Sequence, residues 1–248
     1  MSGRVLNEEF AETEARKYAY DFDYRMHDYM LRTFRDLLPP GRALELGCFE
    51  GEFTKKLAAI FSDLTVVEGS SDLIGVARTK APPPVAFVLS RFEAFQPEQR
   101  FDAVFLIHTL EHMDAPVDLL KRIGTWLTPQ GRLFLVVPNA HAASRQIAVE
   151  MGLIAEPTAV TEGEYLHGHR RTYNAQTLLA DVQAAGLRPL ETGGVFFKPF
   201  ANFQFDKLMK TDIVGDGYME GCFKLGRKHP DLCASIYAIC ESTAGTEL

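Results

Sequence analysis

Residues 42–70, RALELGCFEGEFTKKLAAIFSDLTVVEGS, constrain the fold more than any other stretch of the chain. The apolar run Ala43-Leu44-Glu45-Leu46 breaks at Gly47, and an amphipathic segment follows with Phe53, Leu57, Ile60 and Phe61 at helical spacing. A second run, Leu64-Thr65-Val66-Val67, ends at Glu68. Strand, glycine turn, helix and strand within about thirty residues form a βαβ unit, whose parallel strands are joined by a right-handed crossover. A dinucleotide bound to such a unit requires G-x-G-x-x-G, because its pyrophosphate comes nearly into contact with the backbone at the helix N-terminus. Here Phe49 and Glu52 stand where the second and third glycines would be, so a ring fills the phosphate's space and a carboxylate repels it. Both residues disfavour a nicotinamide-dependent oxidoreductase. Glu45 adds negative charge before the turn, and Glu68 stands where an acid about twenty residues past such a turn accepts hydrogen bonds from a ribose diol. The ligand these residues select is a nucleoside with a free sugar diol, no phosphates and a positive charge.

E-L-G-C-F-E-G at 45–51, followed by V-V-E-G at 66–69, resembles the first two cofactor motifs of class I S-adenosylmethionine-dependent methyltransferases, whose usual form is [DE]-x-G-x-G-x-G. Glu45, Gly47 and Gly51 match, and Phe49 replaces the middle glycine. F-D-x-V-x-x-x-x-x-L-E-H at 101–112 is similar to the motif that follows the fourth strand in that family. L-x-P-x-G and G-x-L-x-x-x-x-P-N, overlapping at Gly131 and ending at Asn139, give a third match. The resemblance covers residues 42–139 with specific motifs and the remainder in outline. It implies an α/β, Rossmann-like sheet of seven mostly parallel strands in the order 3-2-1-4-5-7-6, with helices on both faces and a lid of helix and loop. It also implies S-adenosyl-L-methionine as cofactor, leaving S-adenosyl-L-homocysteine. The cofactor-binding set carried over by the resemblance is Glu45, Gly47, Cys48, Phe49, Gly51, Glu68, Gly69, Ser70 and His108. Ser90, Arg91 and Phe92 join it at the adenine, and Tyr20 and Arg25 from a leading helix that closes over the cofactor.

The rest of the chain fits one domain over residues 1–248. Helical spacing covers residues 8–38, stopped by Pro39-Pro40-Gly41; residues 71–79 read as helix, ended by the prolines at 82–84, and 85–89 as strand. Strand 101–107, helix 118–127, a turn at 128–131 and strand 132–137 follow, then helix 174–185, strand 186–191 and strand 236–240, the last expected antiparallel between the fifth and sixth. Residues 1–40 form a cap and 41–139 the cofactor core, while the aromatic-rich stretches 140–173 and 195–229 form a lid and substrate wall. A formal charge of −7 argues against a nucleic-acid surface. No apolar run reaches the length of a membrane span and the N-terminus has no apolar signal core, so a cytoplasmic protein is expected. Cys48, Cys222, Cys233 and Cys240 form no C-x-x-C pair and read as reduced thiols. The expected partners are a small-molecule substrate and, at most, a second copy of the chain.

Methyl transfer requires in-line alignment of acceptor, methyl and sulfur, together with exclusion of water. A hydroxyl acceptor near neutral pH benefits from a base, which makes histidines the informative residues. His108, at the tip of the fourth strand, and His167 and His169, within Y-L-H-G-H-R-R-T-Y at 165–173, are the candidate catalytic residues. His112, Tyr165, Arg170, Arg171 and Tyr173 are the candidate substrate-facing residues, the arginines either clamping an anionic group or bridging Glu162 and Glu164. His108 with His112, or His167 with His169, gives only H-x-x-x-H and H-x-H spacing without a metalloprotease-type glutamate, so no metal is expected. The expected activity is O-methylation of a small metabolite or natural-product precursor. The alternatives are N-methylation of a small amine and a regulatory subunit that binds the cofactor without turnover.

Overall fold

The computed structural model of the chain describes residues 19–81 and 84–243. The first described helix, α1 (Asp21–Phe34), runs into a 3-10 turn at Arg35–Leu37. It starts at Asp21 because Asp23 turns back and accepts from the Tyr20 amide at 2.9 Å, closing the N-terminus. The part of the expected leading helix at 8–18 lies outside the described residues, as do Pro82 and Pro83.

Strands β1 (Arg42–Leu46), β2 (Asp63–Glu68), β3 (Val85–Leu89), β4 (Phe101–Ile107), β5 (Leu127–Pro138), β6 (Leu187–Phe197) and β7 (Cys233–Ser242) form one sheet in the order β3-β2-β1-β4-β5-β7-β6. β1 pairs in parallel with β2 on one side and β4 on the other, and β7 inserts antiparallel between β5 and β6. The expected order is the observed one. The crossover helices are α2 (Glu52–Ala58), α3 (Ser71–Lys80), α4 (Pro116–Trp126) and α7 (Ala175–Ala184), and α4 begins with Pro116 in its first turn, where a missing amide costs nothing. The remaining helices, α5 (Ala143–Glu150), α6 (Glu162–Leu166), α8 (Asn202–Leu208) and α9 (Asp216–Gly226), lie in the stretches expected to form the lid and wall. Among the described residues no helix is long and apolar enough to cross a membrane.

Several expected boundaries move, β7 for one running over Cys233–Ser242 in place of 236–240. The turn at 128–131 sits within β5 as an irregularity, since pairing with β4 steps from Phe101↔Leu127 to Ala103↔Arg132. β6 extends through Val195–Phe196–Phe197, so the wall insertion begins after Phe197 rather than at 195. The glycines at 193 and 194 break the alternation by which a strand is recognised, and pairing with β7 overrides them.

Burying both sheet faces produces two apolar layers. One joins Phe22, Met26, Met30 and Phe34 of α1 to Phe53, Leu57, Phe105, Phe134, Phe196 and Phe205; the other packs Leu119, Ile123, Trp126, Leu178 and Val182 against Leu44, Val104 and Leu135. Phe105 and Phe134 stack at 4.9 Å, Phe22 stacks on Phe205 at 4.5 Å, and α1 is thereby fixed over the carboxyl edge of the sheet. Gly51, at the start of α2 with φ +85°, has Ala77 of α3 against it; a Cβ there would lie 2.7 Å from the Ala77 Cα. Gly51→Ala therefore combines a left-handed backbone with a backbone clash. It should lower unfolding free energy by about 2 kcal/mol or more, read as a shift of the urea midpoint; an unchanged midpoint would show that α2 and α3 separate freely.

Candidate active site

Crossovers leave β1 and β4 on opposite sides of the sheet, which opens a crevice beyond their carboxyl ends. The chain fills it with a cavity of about 560 Å³. Its floor is the loop after β1. The Gly47 amide donates to Val67 O at 2.9 Å, its φ is +81°, and a Cβ there would lie 3.1 Å from Thr109 Oγ1. Thr109 in turn donates to Ile107 O at 3.0 Å, so the two loops meet closely here. Phe49 adopts φ +46°, the left-handed conformation that explains why glycine usually occupies such a place.

Glu68 ends β2 at the cavity edge with 8 % exposure. One oxygen accepts from the Cys48 amide at 3.1 Å and the other from the Gly69 and Ser70 amides at 2.7 and 3.0 Å. These amides aim the carboxylate, and burial raises its pKa against them. Glu45 is 2 % exposed, accepts from Thr54 Oγ1 at 2.6 Å, and is pushed up to about 8 by burial, with nearby Glu68 acting in the same direction. Two acids sharing one wall favour a cation between them. Ser70 caps α3 through Leu73 N at 3.2 Å, and Ser90, Arg91 and Phe92 close this end of the cavity.

The other end is built from residues far apart in sequence. Leu110–His112 forms a 3-10 turn after β4, bringing Glu111 and His112 to the wall. His169 follows α6; the Arg170 amide donates to Glu111 O at 2.9 Å and sets the His169 ring edge-on to His112 at 4.7 Å. Burial pushes His169 down to about 4 and Glu111 up to about 8. His167 also lines the cavity. His108 adopts φ +46° and its Nε2 lies 2.8 Å from Ser235 Oγ; burial pushes it down to about 3. That ring is braced in the wall with its Nε2 already engaged by Ser235.

Six expected residues lie off the cavity. Arg25 pairs with Asp216 at 2.9 Å on the surface, and Gly51 serves the contact between α2 and α3. Tyr165 is 66 % exposed. Arg170 reaches Asp114 at 3.4 Å, and Arg171 donates to Met113 O and Asp114 O at 3.0 and 3.1 Å. Tyr173 is buried and donates to Asp181 at 2.8 Å. The arginines therefore fasten the lid to the loop after β4 in place of clamping an anion. It is Arg145 of α5 that pairs with Glu164, at 2.6 Å, and it also donates to Pro157 O and Ala159 O. Tyr20, Glu45, Gly47, Cys48, Phe49, Glu68, Gly69, Ser70, Ser90, Arg91, Phe92, His108, His112, His167 and His169 all face the cavity.

Sequence reasoning missed a polar row from three separate elements. Lys198 donates to Asn202 Oδ1 at 2.8 Å, and Asn202 donates to Asp23 Oδ1 at 2.7 Å. Burial lowers the lysine pKa while the Asp23 charge opposes it. No local pattern marks these residues, because only the packing of α1 against α8 brings them together. His27 of α1 was missed too: its Nδ1 is buried without a hydrogen-bond partner, and its ring sits edge-on to Phe53 at 5.1 Å.

A family model for a methyltransferase domain matches residues 17–192. The ubiquinone biosynthesis O-methyltransferase of Xanthomonas campestris pv. campestris is 27% identical over 173 residues, covering 68% of this chain and 71% of that protein. The protein of the same name from Burkholderia thailandensis is 25% identical over 190 residues, covering 75% and 79%. In fold, the chain is similar to a possible histamine N-methyltransferase from Thermotoga maritima, with TM-score 0.64, 18% identity and coverage of 94% and 98%. It is similar also to the N-methyltransferase NodS of Bradyrhizobium japonicum in complex with S-adenosyl-L-homocysteine, with TM-score 0.57, 18% identity and coverage of 92% and 91%.

Burial pushes His27 down to about 4. The unfolded chain, with an ordinary histidine near 6.5, therefore takes the proton first, so stability is whole above pH 6.5 and is lost as pH falls towards 4. The loss from this group should reach about 3 kcal/mol at pH 4. His27→Phe should show a smaller fall in Tm between pH 6.5 and 4 than the native chain; parallel curves would refute the assignment.

Proposed function

The chain belongs to the methyltransferase-domain family and is a class I S-adenosylmethionine-dependent methyltransferase, and we propose that it methylates a hydroxyl oxygen of a small molecule. The cavity fits the cofactor on its own chemistry. The left-handed Gly47 leaves a cradle that a Cβ would close against Thr109, and Glu45 and Glu68 place two carboxyl groups on the wall a sulfonium would face. When bound, the cofactor supplies an electrophilic methyl carbon. The chain's part is to hold, align and keep dry. Glu68, aimed by three amides, would take the ribose hydroxyls, Phe92 and Arg91 would border the adenine, and Tyr20 would cover the cofactor from α1.

The observation that carries the choice of oxygen is the pairing of His112 and His169 beside Glu111 at the acceptor end. Lone pairs on such groups can receive a hydroxyl proton as the acceptor enters a water-poor site. The curated relatives named as O-methyltransferases support this reading. Lys198, Asn202 and Asp23 offer a second polar contact, fitting an acceptor with both an aromatic or aliphatic body and a polar end. The segments 140–173 and 198–229 act as lid and wall over this single domain. Amine methylation is the second reading, because Asp23 could seat an ammonium.

Glu68→Ala should weaken S-adenosyl-L-homocysteine binding at least about thirtyfold, roughly 2 kcal/mol, by calorimetry; an affinity within threefold of native would remove Glu68 from the ribose site. Offered a panel of phenols, alcohols and amines, the enzyme should turn over hydroxyl acceptors, measured as homocysteine-product release. Turnover confined to amines would overturn the choice of oxygen.

A further inference from the structure

Among the described residues, Glu111 is the carboxylate whose two oxygens are both buried without a hydrogen-bond partner. Its residue is 1 % exposed, and the nearby His112 Nε2 stands 3.9 Å from Oε1, outside hydrogen-bond reach. A bare carboxylate in such a place is expensive unless something else satisfies it. The surroundings contain what is needed. One ligand atom each from Glu111, His112 and His169 lies within 4.8 Å of the others, and all three residues line the cavity.

We propose that Glu111, His112 and His169 bind a divalent cation of the zinc type at the acceptor end of the cavity. Two imidazoles and one carboxylate are a three-ligand set of the kind that leaves a coordination position open to water or substrate. Donors at 2.0–2.2 Å from a tetrahedral ion sit about 3.4 Å apart, so ligand atoms within 4.8 Å of one another need close by no more than about 1.4 Å. The backbone around the cluster is already fixed: the Arg170 amide donates to Glu111 O at 2.9 Å, and Arg171 holds Met113 O and Asp114 O. The lid loop is thus registered against the loop after β4 with the ligands facing one another.

The open position suits an oxygen donor of the acceptor. On coordination the acceptor's O–H bond breaks, its proton leaves to solvent, and the electron pair stays on the oxygen, which the cation holds as an oxyanion. The cation site itself does not depend on the proposed O-methylation; with a cation bound, the lone pairs of His112 and His169 are taken up by it, and the cation replaces them as the group that activates the hydroxyl. Metal binding accompanied by turnover of amines alone would keep the site and overturn that reading.

The full-length protein, stripped with EDTA and dialysed, is titrated with zinc chloride by calorimetry and its metal content counted by mass spectrometry. One equivalent per chain is expected, with Tm raised on binding. His169→Ala and Glu111→Gln should each weaken zinc binding a hundredfold or more while keeping homocysteine-product affinity within threefold, which shows that they are folded. His229→Ala, which removes an exposed imidazole elsewhere, should bind zinc as the native chain does. Absence of zinc binding by the native chain overturns the proposal whatever the variants do, as does undiminished binding by folded His169→Ala.

Discussion

The site depends on the contact between the loops that leave β1 and β4. These strands are neighbours, their crossovers depart to opposite faces, and their following loops diverge enough to leave a crevice. Gly47 and Thr109 keep that crevice narrow at its base: a Cβ at 47 would lie 3.1 Å from Thr109 Oγ1 and would sit on a left-handed backbone. A ligand laid across Gly47 therefore meets backbone on one side and the 3-10 turn carrying Glu111 and His112 on the other. Everything chemical in the molecule follows from this meeting, since the same turn holds the lid through the Arg170 amide.

Electrostatics divide the cavity into two unlike halves. At the cofactor end Glu45 and Glu68 are buried together, and the Glu68 charge adds to burial in raising the cost of ionising Glu45. Without a ligand, Glu45 is relieved only by the Thr54 hydroxyl, whereas three amides orient Glu68. A cationic group between them would lower both costs, which is the physical content of selecting a sulfonium over a diphosphate. Burial favours the neutral imidazole at His108 and His169. Neutral imidazole is the form that offers a lone pair, and at His108 the Nε2 is already engaged with Ser235 Oγ.

The core was legible in sequence because its signals are local. Glycine turns, apolar runs and an acid at the end of β2 occur within one βαβ unit, and the order of the strands followed from the motifs they carry. The acceptor end was not legible. His108 and His112, or His167 and His169, look like pairs by spacing, yet the fold joins His112 to His169 with Glu111 beside them. Gly51 matched a cofactor motif and is needed for Ala77. Arg170 and Arg171 read either as anion clamps or as bridges to Glu162 and Glu164, and sequence has no way to show that the Asp114 carboxylate would take Arg170 and the carbonyls of 113–114 would take Arg171. Asp23, Lys198 and Asn202 meet only through tertiary packing, and no period or motif records such a meeting.

Two side-chain-bearing residues in left-handed backbone, Phe49 and His108, flank the cavity from the ends of β1 and β4. Each such conformation costs on the order of 1–3 kcal/mol and persists only where the surroundings impose it. At His108 the imposition is visible: its amide donates to Val136 O at 2.9 Å while its Nε2 meets Ser235 Oγ, so both ends of the residue are tied to the sheet. The strained turn carries the chain from the last rung of β4 directly into the 3-10 turn, without the extra residues a relaxed connection would need. His108 with its left-handed backbone and Glu111 with its unpartnered carboxyl both line the cavity.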